Sequence, residues 1–355
     1  MRITQSMLTA NTMKYSQASY ERLSTLQNQM STQKKITRFS QDPVVAAKSM
    51  QFRESLSHIN QYKRNLSEAH TRLDQSDTSL RETSNILTRA KELVVKAATD
   101  TYGEDERKSI AEELNQLRQH LVTVANTNSA GKYVFNGIHS KQAPLEEMNL
   151  DQVVNRLENG EDLSGTSISY GGELYVFEEG VFSTRDGNAQ LELQDGQFSV
   201  NGETIRQEEA LVIKRAFDQS TVEIELQQGV YVPVNADGHR LFSEDLFHDL
   251  FTLEQALKGS ETTGTDLDPF ISKIDDHLKT AADVNGQLGA RMNRVDLMED
   301  RLSHQELLME KLKSENEDVD FEETVMKLLV AEGIHSAALA ASARVIQPSL
   351  LDFLR

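Results

Sequence analysis

The side chains best equipped for chemistry in this sequence are 9 histidines and 56 acids, and neither set is spaced to perform it. No HExxH, GxGxxG, P-loop or GxSxG pattern occurs, and the absence of cysteine removes thiol nucleophiles, zinc thiolates and disulfides from consideration. His58, His70, His304 and His335 fall on helix-like patterns, where surface or seam positions are expected rather than ligation. "DLDPFISKIDD" and "SENEDVD" are acidic enough to attract calcium. Both lack the alternating Asp/Asn ligands, central glycine and distal glutamate of an EF-hand loop, so solvated turns are expected there. Arg291 and Arg294 are expected to pair with acids of another helix. A catalytic reading, a hydrolase hidden in the middle of the chain, has no nucleophile, base and orienter to support it, and no cofactor is expected.

The elements that would have to position such groups are clearer than the groups. Of 18 glycines, 14 lie between Gly131 and Gly264, so both flanks favour helix and the middle is rich in turns. In the N-terminal flank Phe52, Ile59, Leu66, Leu73, Leu80, Leu87 and Val94 recur every seven residues, a sustained coiled-coil seam. The positions three residues on are mostly small, which permits close helix packing. A second seam at Ile110, Leu114, Leu117, Leu121 and Val124 follows the break "TDTYGEDERKS" and is expected to fold back antiparallel. Ile274, Ala281, Leu288, Val295, Leu302 and Met309 repeat the heptad in the C-terminal flank, with polar Asn285 and Glu299 interrupting the adjoining positions.

Between the flanks, "TSISY", "ELYVF", "LVIKRAF", "TVEIEL" and "VYVPV" alternate with Gly- and Asp-rich turns, which predicts short strands and hairpins. "SEDLFHDLFTLEQALKG" then restarts helix, with Ser243 as cap and Gly259 as stop. The fold expected is mainly α: a long antiparallel coiled-coil or helical-bundle rod formed by both flanks, with an inserted small β-rich domain. Its parts are a terminal helix and connector at 1–43, rod halves at 44–139 and 266–313, the insertion at 140–265, and a terminal helix at 314–355.

Charge is distributed unevenly within the total of −19. Residues 131–265 hold 24 acids against 9 Lys and Arg, whereas residues 1–43 hold 6 Lys and Arg against 2 acids. Such an acidic chain is repelled by phosphates, so neither nucleic acid nor membrane insertion is expected. No run is read as approaching the roughly 20 apolar residues of a bilayer-spanning helix, and residues 1–17 lack the basic start and apolar core of a cleavable signal.

Two short amphipathic segments remain. Leu23, Leu26 and Met30 form one stripe, and Phe321, Val325, Leu328, Leu339 and Ile346 form another that Glu332, His335 and Ser342 interrupt. Neither satisfies its own apolar face, so each is expected to need a partner before its ordering entropy is offset. "STQKKITRFSQDPVVAAKSM", residues 31–50, joins the first of them to the long helix, and Asp42-Pro43 is a helix-start signal with Ser40 or Asp42 able to cap. The stretch before it reads as a hinge-like connector.

This stretch, with "RITQSML" at 2–8, "AGKYVFNG" at 130–137, "GARMNRVD" at 289–296, "EDVDFEETVMKL" at 317–328 and "ARVIQPSLLDFLR" at 343–355, resembles the flagellin-like family of the bacterial flagellum. Within that family, the proline after Asp42 and the "SLLDFL" ending look more like the hook-filament junction branch than like flagellin. Gln33 stands where the family usually has glycine, and Phe39-Ser40 where a Pro-Ser pair is common.

The resemblance covers both flanks. It implies a structural, non-enzymatic protein exported through the flagellar type III apparatus to the extracellular flagellum. It further implies terminal helices that are unfolded in the free monomer and pair on assembly, Leu23, Leu26 and Met30 meeting the Phe321 to Ile346 stripe. The partners it implies are the first hook-associated protein, flagellin, further copies of the chain, and an export chaperone on the C-terminal helix. Flagellin itself, or a cytoplasmic coiled-coil scaffold for which the seams alone suffice, are the alternatives.

Overall fold

A computed structural model describes residues 5–99, 103–178, 180–187, 189–194, 196–200, 202–259 and 264–346. The helices are α1 (Gln5–Thr32), α2 (Pro43–Ala97), α3 (Glu104–Ala125), α4 (Leu150–Glu158), α5 (Gly238–Leu241), α6 (Glu244–Lys258), α7 (Gly264–Glu317) and α8 (Phe321–Ile346). The strands are β1 (Asn128–Ser129), β2 (Lys132–Tyr133), β3 (Leu145–Met148), β4 (Thr166–Tyr170), β5 (Glu173–Glu178), β6 (Val181–Thr184), β7 (Gln190–Gln194), β8 (Gln197–Val200), β9 (Glu203–Thr204), β10 (Ala210–Arg215), β11 (Glu223–Gln227) and β12 (Val230–Pro233). The architecture is the one expected, helical flanks around a β-rich insertion. It divides into two compact units, one of residues 62–299 and one of residues 1–61 with 300–355, and α2 and α7 contribute to both.

In the first unit α2 and α7 run antiparallel, with Lys91 paired to Asp275 at 2.6 Å and His70 Nε2 3.2 Å from Glu299. Glu299 therefore meets His70 at the surface beside the seam, and Val284 rather than the neighbouring Asn285 is buried within it. Leu66, Leu73, Leu80, Leu87 and Val94 of α2 and Ile274, Ala281, Leu288 and Val295 of α7 are all buried. The small companions Ala69, Ser76, Thr83, Ala90 and Ala97 are buried beside them, so the helices approach closely there. The fold-back of α3 is antiparallel to α2, with Arg89 meeting Glu113 at 2.7 Å and His120 meeting Glu82 at 2.9 Å. Ser243 caps α6 by accepting the Leu246 amide, and Gly259 ends it.

The insertion forms an eight-stranded antiparallel sheet in the order β3-β10-β4-β5-β6-β7-β8-β9. Each predicted run is a strand, but β10 crosses back between β3 and β4, and β11-β12 leave to form a separate hairpin. β3, β6, β7, β8, β9 and helix α4 were not expected. β3 lacks β-branched residues entirely. α4 covers the sheet, burying Val153 against Ile168, Phe182 and Phe198.

Two expectations about chemistry-bearing residues change. Arg291 donates from Nη1 to the Asn235 carbonyl at 2.7 Å rather than pairing with an acid, because the loop after β12 lies over α7. "DLDPFISKIDD" forms the opening turns of α7, where Asp275 and Asp276 pair with Lys91 and Lys279, and no metal-binding cluster occurs among the described residues.

Candidate assembly surface on the terminal helices

In the second unit Ile59 and Leu302 are buried, Phe52 is half-buried, and α2 begins where Asp42 Oδ1 accepts the amides of Val44 and Val45 at 2.9 and 3.0 Å. The connector before it is not a hinge in this structure. Lys34 forms a β-bridge with Asp318, the Lys35 amide donates to the Glu317 carbonyl at 2.7 Å, and the Val319 amide donates to the Gln33 carbonyl at 3.1 Å. The reason lies in the side chains that "EDVD" brings opposite "KK". Lys34 Nζ lies 2.6 Å from Asp318 and 3.3 Å from Glu317.

Glu317 is the centre of this node and is only 3% exposed. Burial works against its charge, but hydrogen bonds from Arg53, Ser49 and Lys34 outweigh that and hold its carboxyl at about 2. The Asp318 carboxyl is also lowered, first by Lys34 and then by Ser314. Gln33, exposed, takes the left-handed backbone conformation with φ +56°, the conformation glycine adopts without cost. The ion node thus anchors the turn between α7 and α8 to the turn between α1 and α2.

From this anchor α1 and α8 run antiparallel, as the contact of Ser19 Oγ with His335 Nδ1 at 2.9 Å shows far from Lys34 and Asp318. Asp320 Oδ1 caps α8 by accepting the Glu323 amide at 3.0 Å. Leu23, Leu26, Met30, Val325 and Leu328 are half-buried in the pair. Phe321 and Leu339 are not: they are 56% and 50% exposed. Thr324 and Ala331 are buried instead, with His335, Ala338 and Ser342 half-buried in line after them. These positions follow a 3-and-4 spacing, and Leu339 lies one residue, about 100°, off that line. Ile346 ends α8, and its side chain lies outside the described residues.

The residues sequence reasoning passed over are Met326, Leu329, Val330 and Ile334, a second apolar face on α8 that remains exposed. Met326, Val330 and Ile334 line a groove of about 780 Å³ with Arg22 and Leu26 of α1. The signal was available: Met326, Val330 and Ile334 recur every four residues with Leu329 beside them, a second apolar stripe next to the first. By length and composition Phe321–Ala343 is apolar enough to cross a membrane, with a mean hydropathy of 1.3, which corrects the expectation that no run approaches that limit. The spread of small and charged residues through it had hidden the run. On α1, Met13, Tyr15 and Tyr20 are also exposed.

Comparison with known proteins identifies the family. Residues 3–140 match the bacterial flagellin N-terminal helical region and residues 271–354 match the bacterial flagellin C-terminal helical region. The chain is 29% identical over 123 residues to flagellar hook-associated protein 3 of Salmonella typhimurium, covering 34% of this chain and 39% of that protein. It is 22% identical over 343 residues to the flagellar filament 41 kDa core protein of Borreliella burgdorferi, covering 94% of each. Its fold is similar to a structure described as a flagellar hook-associated protein from Vibrio parahaemolyticus, with TM-score 0.54 and 17% identity, covering 78% of this chain and 100% of that one. With both helical regions present in order on either side of a β-rich insertion, the chain belongs to the bacterial flagellin family.

Proposed function

We propose that the protein is a structural component of the bacterial flagellum that joins a hook-side hook-associated protein to the flagellin filament. The observation that carries the mechanism is the second apolar face of α8. The α1/α8 pair buries one seam and leaves Met326, Leu329, Val330 and Ile334 between 51% and 62% exposed. Full burial of such a side chain is worth about 1.5–3 kcal/mol, so covering four that are already partly sheltered contributes roughly 3–6 kcal/mol. That is enough to couple completion of the fold to assembly, with Leu23, Leu26, Met30, Phe321, Val325, Leu328, Leu339 and Ile346 at or beside the contact. Further copies of the chain, the first hook-associated protein and flagellin supply the cover. Before that, an export chaperone shields the same helix from water, and from the membrane that its composition would suit. The protein reaches the cell exterior through the flagellar type III apparatus and performs no catalysis.

Deleting the gene tests this reading. Hooks without filaments, with flagellin shed into the medium, are expected; intact filaments on the deletion strain would sink it. A second reading, that the chain is itself filament subunit, draws on the full-length alignment with a filament core protein. Antibody label in electron micrographs separates the two: a single band at the hook boundary against label along the whole filament.

A further inference from the structure

Met326, Val330 and Ile334 stand on one line of α8, and the line continues through Gly333, Ala337 and Ala341, all of them exposed. Residues three or four positions apart return to nearly the same side of a helix, so this is one uncharged face about four turns long. It is tapered: the bulky side chains occupy its first half and the small residues its second. A Cβ at Gly333 would have nothing within 4 Å, so the small half is open to close approach by another helix.

The taper decides what fits this face. In an antiparallel pair of α8 helices centred between Gly333 and Ile334, Met326 of each copy lies opposite Ala341 of the other, Val330 opposite Ala337 and Ile334 opposite Gly333. Every large side chain then meets a small one, the arrangement that lets two helix faces interdigitate. A parallel pair stacks Met326 on Met326 and Val330 on Val330 and leaves a gap along the alanines, which forfeits their packing. Lys327, at the edge of the groove, is paired with Glu323 at 2.9 Å. In the antiparallel register it lies opposite Ala340, which keeps the two lysines about 20 Å apart. With Leu329 beside the line, two copies bury roughly 1,000 Å² between them, the lower size of a specific interface.

We infer that two free copies of the chain pair through this face, α8 against α8 and antiparallel. The contact is isologous and therefore closes: a paired copy has no equivalent face left to offer. The dimer is thus a resting form, and it opens before the same face of α8 is used in a larger assembly. This goes beyond the flagellar reading and does not require it.

Sedimentation of the purified full-length chain from micromolar to submillimolar concentration tests the pairing. A monomer-dimer equilibrium is expected. Gly333→Leu, at a position where the free monomer has room, should weaken it by about tenfold or more, with helix content retained in circular dichroism. The chain has no cysteine, so engineered thiols report the register. Met326→Cys mixed with Ala341→Cys should give a disulfide-linked dimer under mild oxidation. Met326→Cys alone should not, because its two copies lie about 22 Å apart along the pair. A chain that stays monomeric throughout overturns the inference, as does a dimer indifferent to Gly333→Leu or one linked by Met326→Cys alone. The gene deletion decides the flagellar reading separately, whichever way these measurements fall.

Discussion

Arg53 holds Glu317 through two parallel hydrogen bonds, Nε to Oε1 and Nη2 to Oε2, each 3.0 Å long, across 264 residues of sequence. This fork ties the opening turns of α2 to the last residue of α7, and Ser49 and Lys34 complete the same carboxylate's shell. It fixes where both terminal helices depart. Arg53→Ala is expected to destabilise this unit by about 1–3 kcal/mol, since it removes a charged pair from a buried carboxylate while Ser49 and Lys34 remain. Chemical denaturation followed by circular dichroism measures the loss.

The same carboxylate gives a pH dependence with a definite sign. Its folded value of about 2 lies below its ordinary 4.5, so the unfolded chain binds the proton more readily. The stabilisation is complete above about pH 4.5 and is lost as pH falls from there toward about 2. Melting temperature should decline across that window in the wild type and more shallowly in Glu317→Gln. Parallel slopes would show that Glu317 is not responsible.

Gln33 carries a backbone cost that glycine would not. The left-handed region costs a residue with Cβ roughly 1–2 kcal/mol, part of which glycine gives back through its freer unfolded chain. Gln33→Gly should therefore stabilise the connector by about 0.5–1 kcal/mol, read as a higher denaturation midpoint.

Two neighbouring positions on α8 should behave oppositely. Val330 is 61% exposed in the groove, so Val330→Asp is expected to leave monomer stability within about 0.5 kcal/mol and to abolish incorporation into flagella. Ala331 is 4% exposed against α1, and Ala331→Asp buries an unpaired carboxylate, costing about 1–3 kcal/mol or more of the pairing itself. Thermal melts and swarming assays on both variants check the contrast.

Gly137 permits no side chain. Its φ is +43°, and a Cβ there would lie 2.8 Å from the Ser220 carbonyl oxygen. Gly137→Ala should cost about 1–3 kcal/mol and release the loop that Asn136 and Asp218 hold, visible as faster amide exchange at Ile138 and His139.

The heptads were legible because period is a local property: seven-residue recurrence from Phe52 to Val94 and from Ile274 to Leu302 demands long helices with one buried edge, whatever they pack on. The same holds for the cap at Ser243, the start at Asp42-Pro43, and the β-branched runs of the insertion. Strand pairing was not local. Nothing in "LVIKRAF" says that it lies between "TSISY" and the short "LEEM", because sheet order depends on which distant edge is free.

The assembly surface divides in the same way. Amphipathic stripes at both ends announced that α1 and α8 need partners, while the charged residues scattered along α8 concealed its second apolar face. Only the tertiary structure decided that Ala331, His335 and Ser342 face α1 while Met326, Leu329, Val330 and Ile334 face water, since a helix apolar on several sides has no unique inward face until something packs on it. Nor could the string "TQKKI" disclose that Lys34 reaches Asp318 and Glu317, turning an expected hinge into an anchor. Charge pairs separated by more than 280 residues exist only once the chain has folded, because the energy of each falls off over a few ångströms of space and takes no account of distance along the sequence.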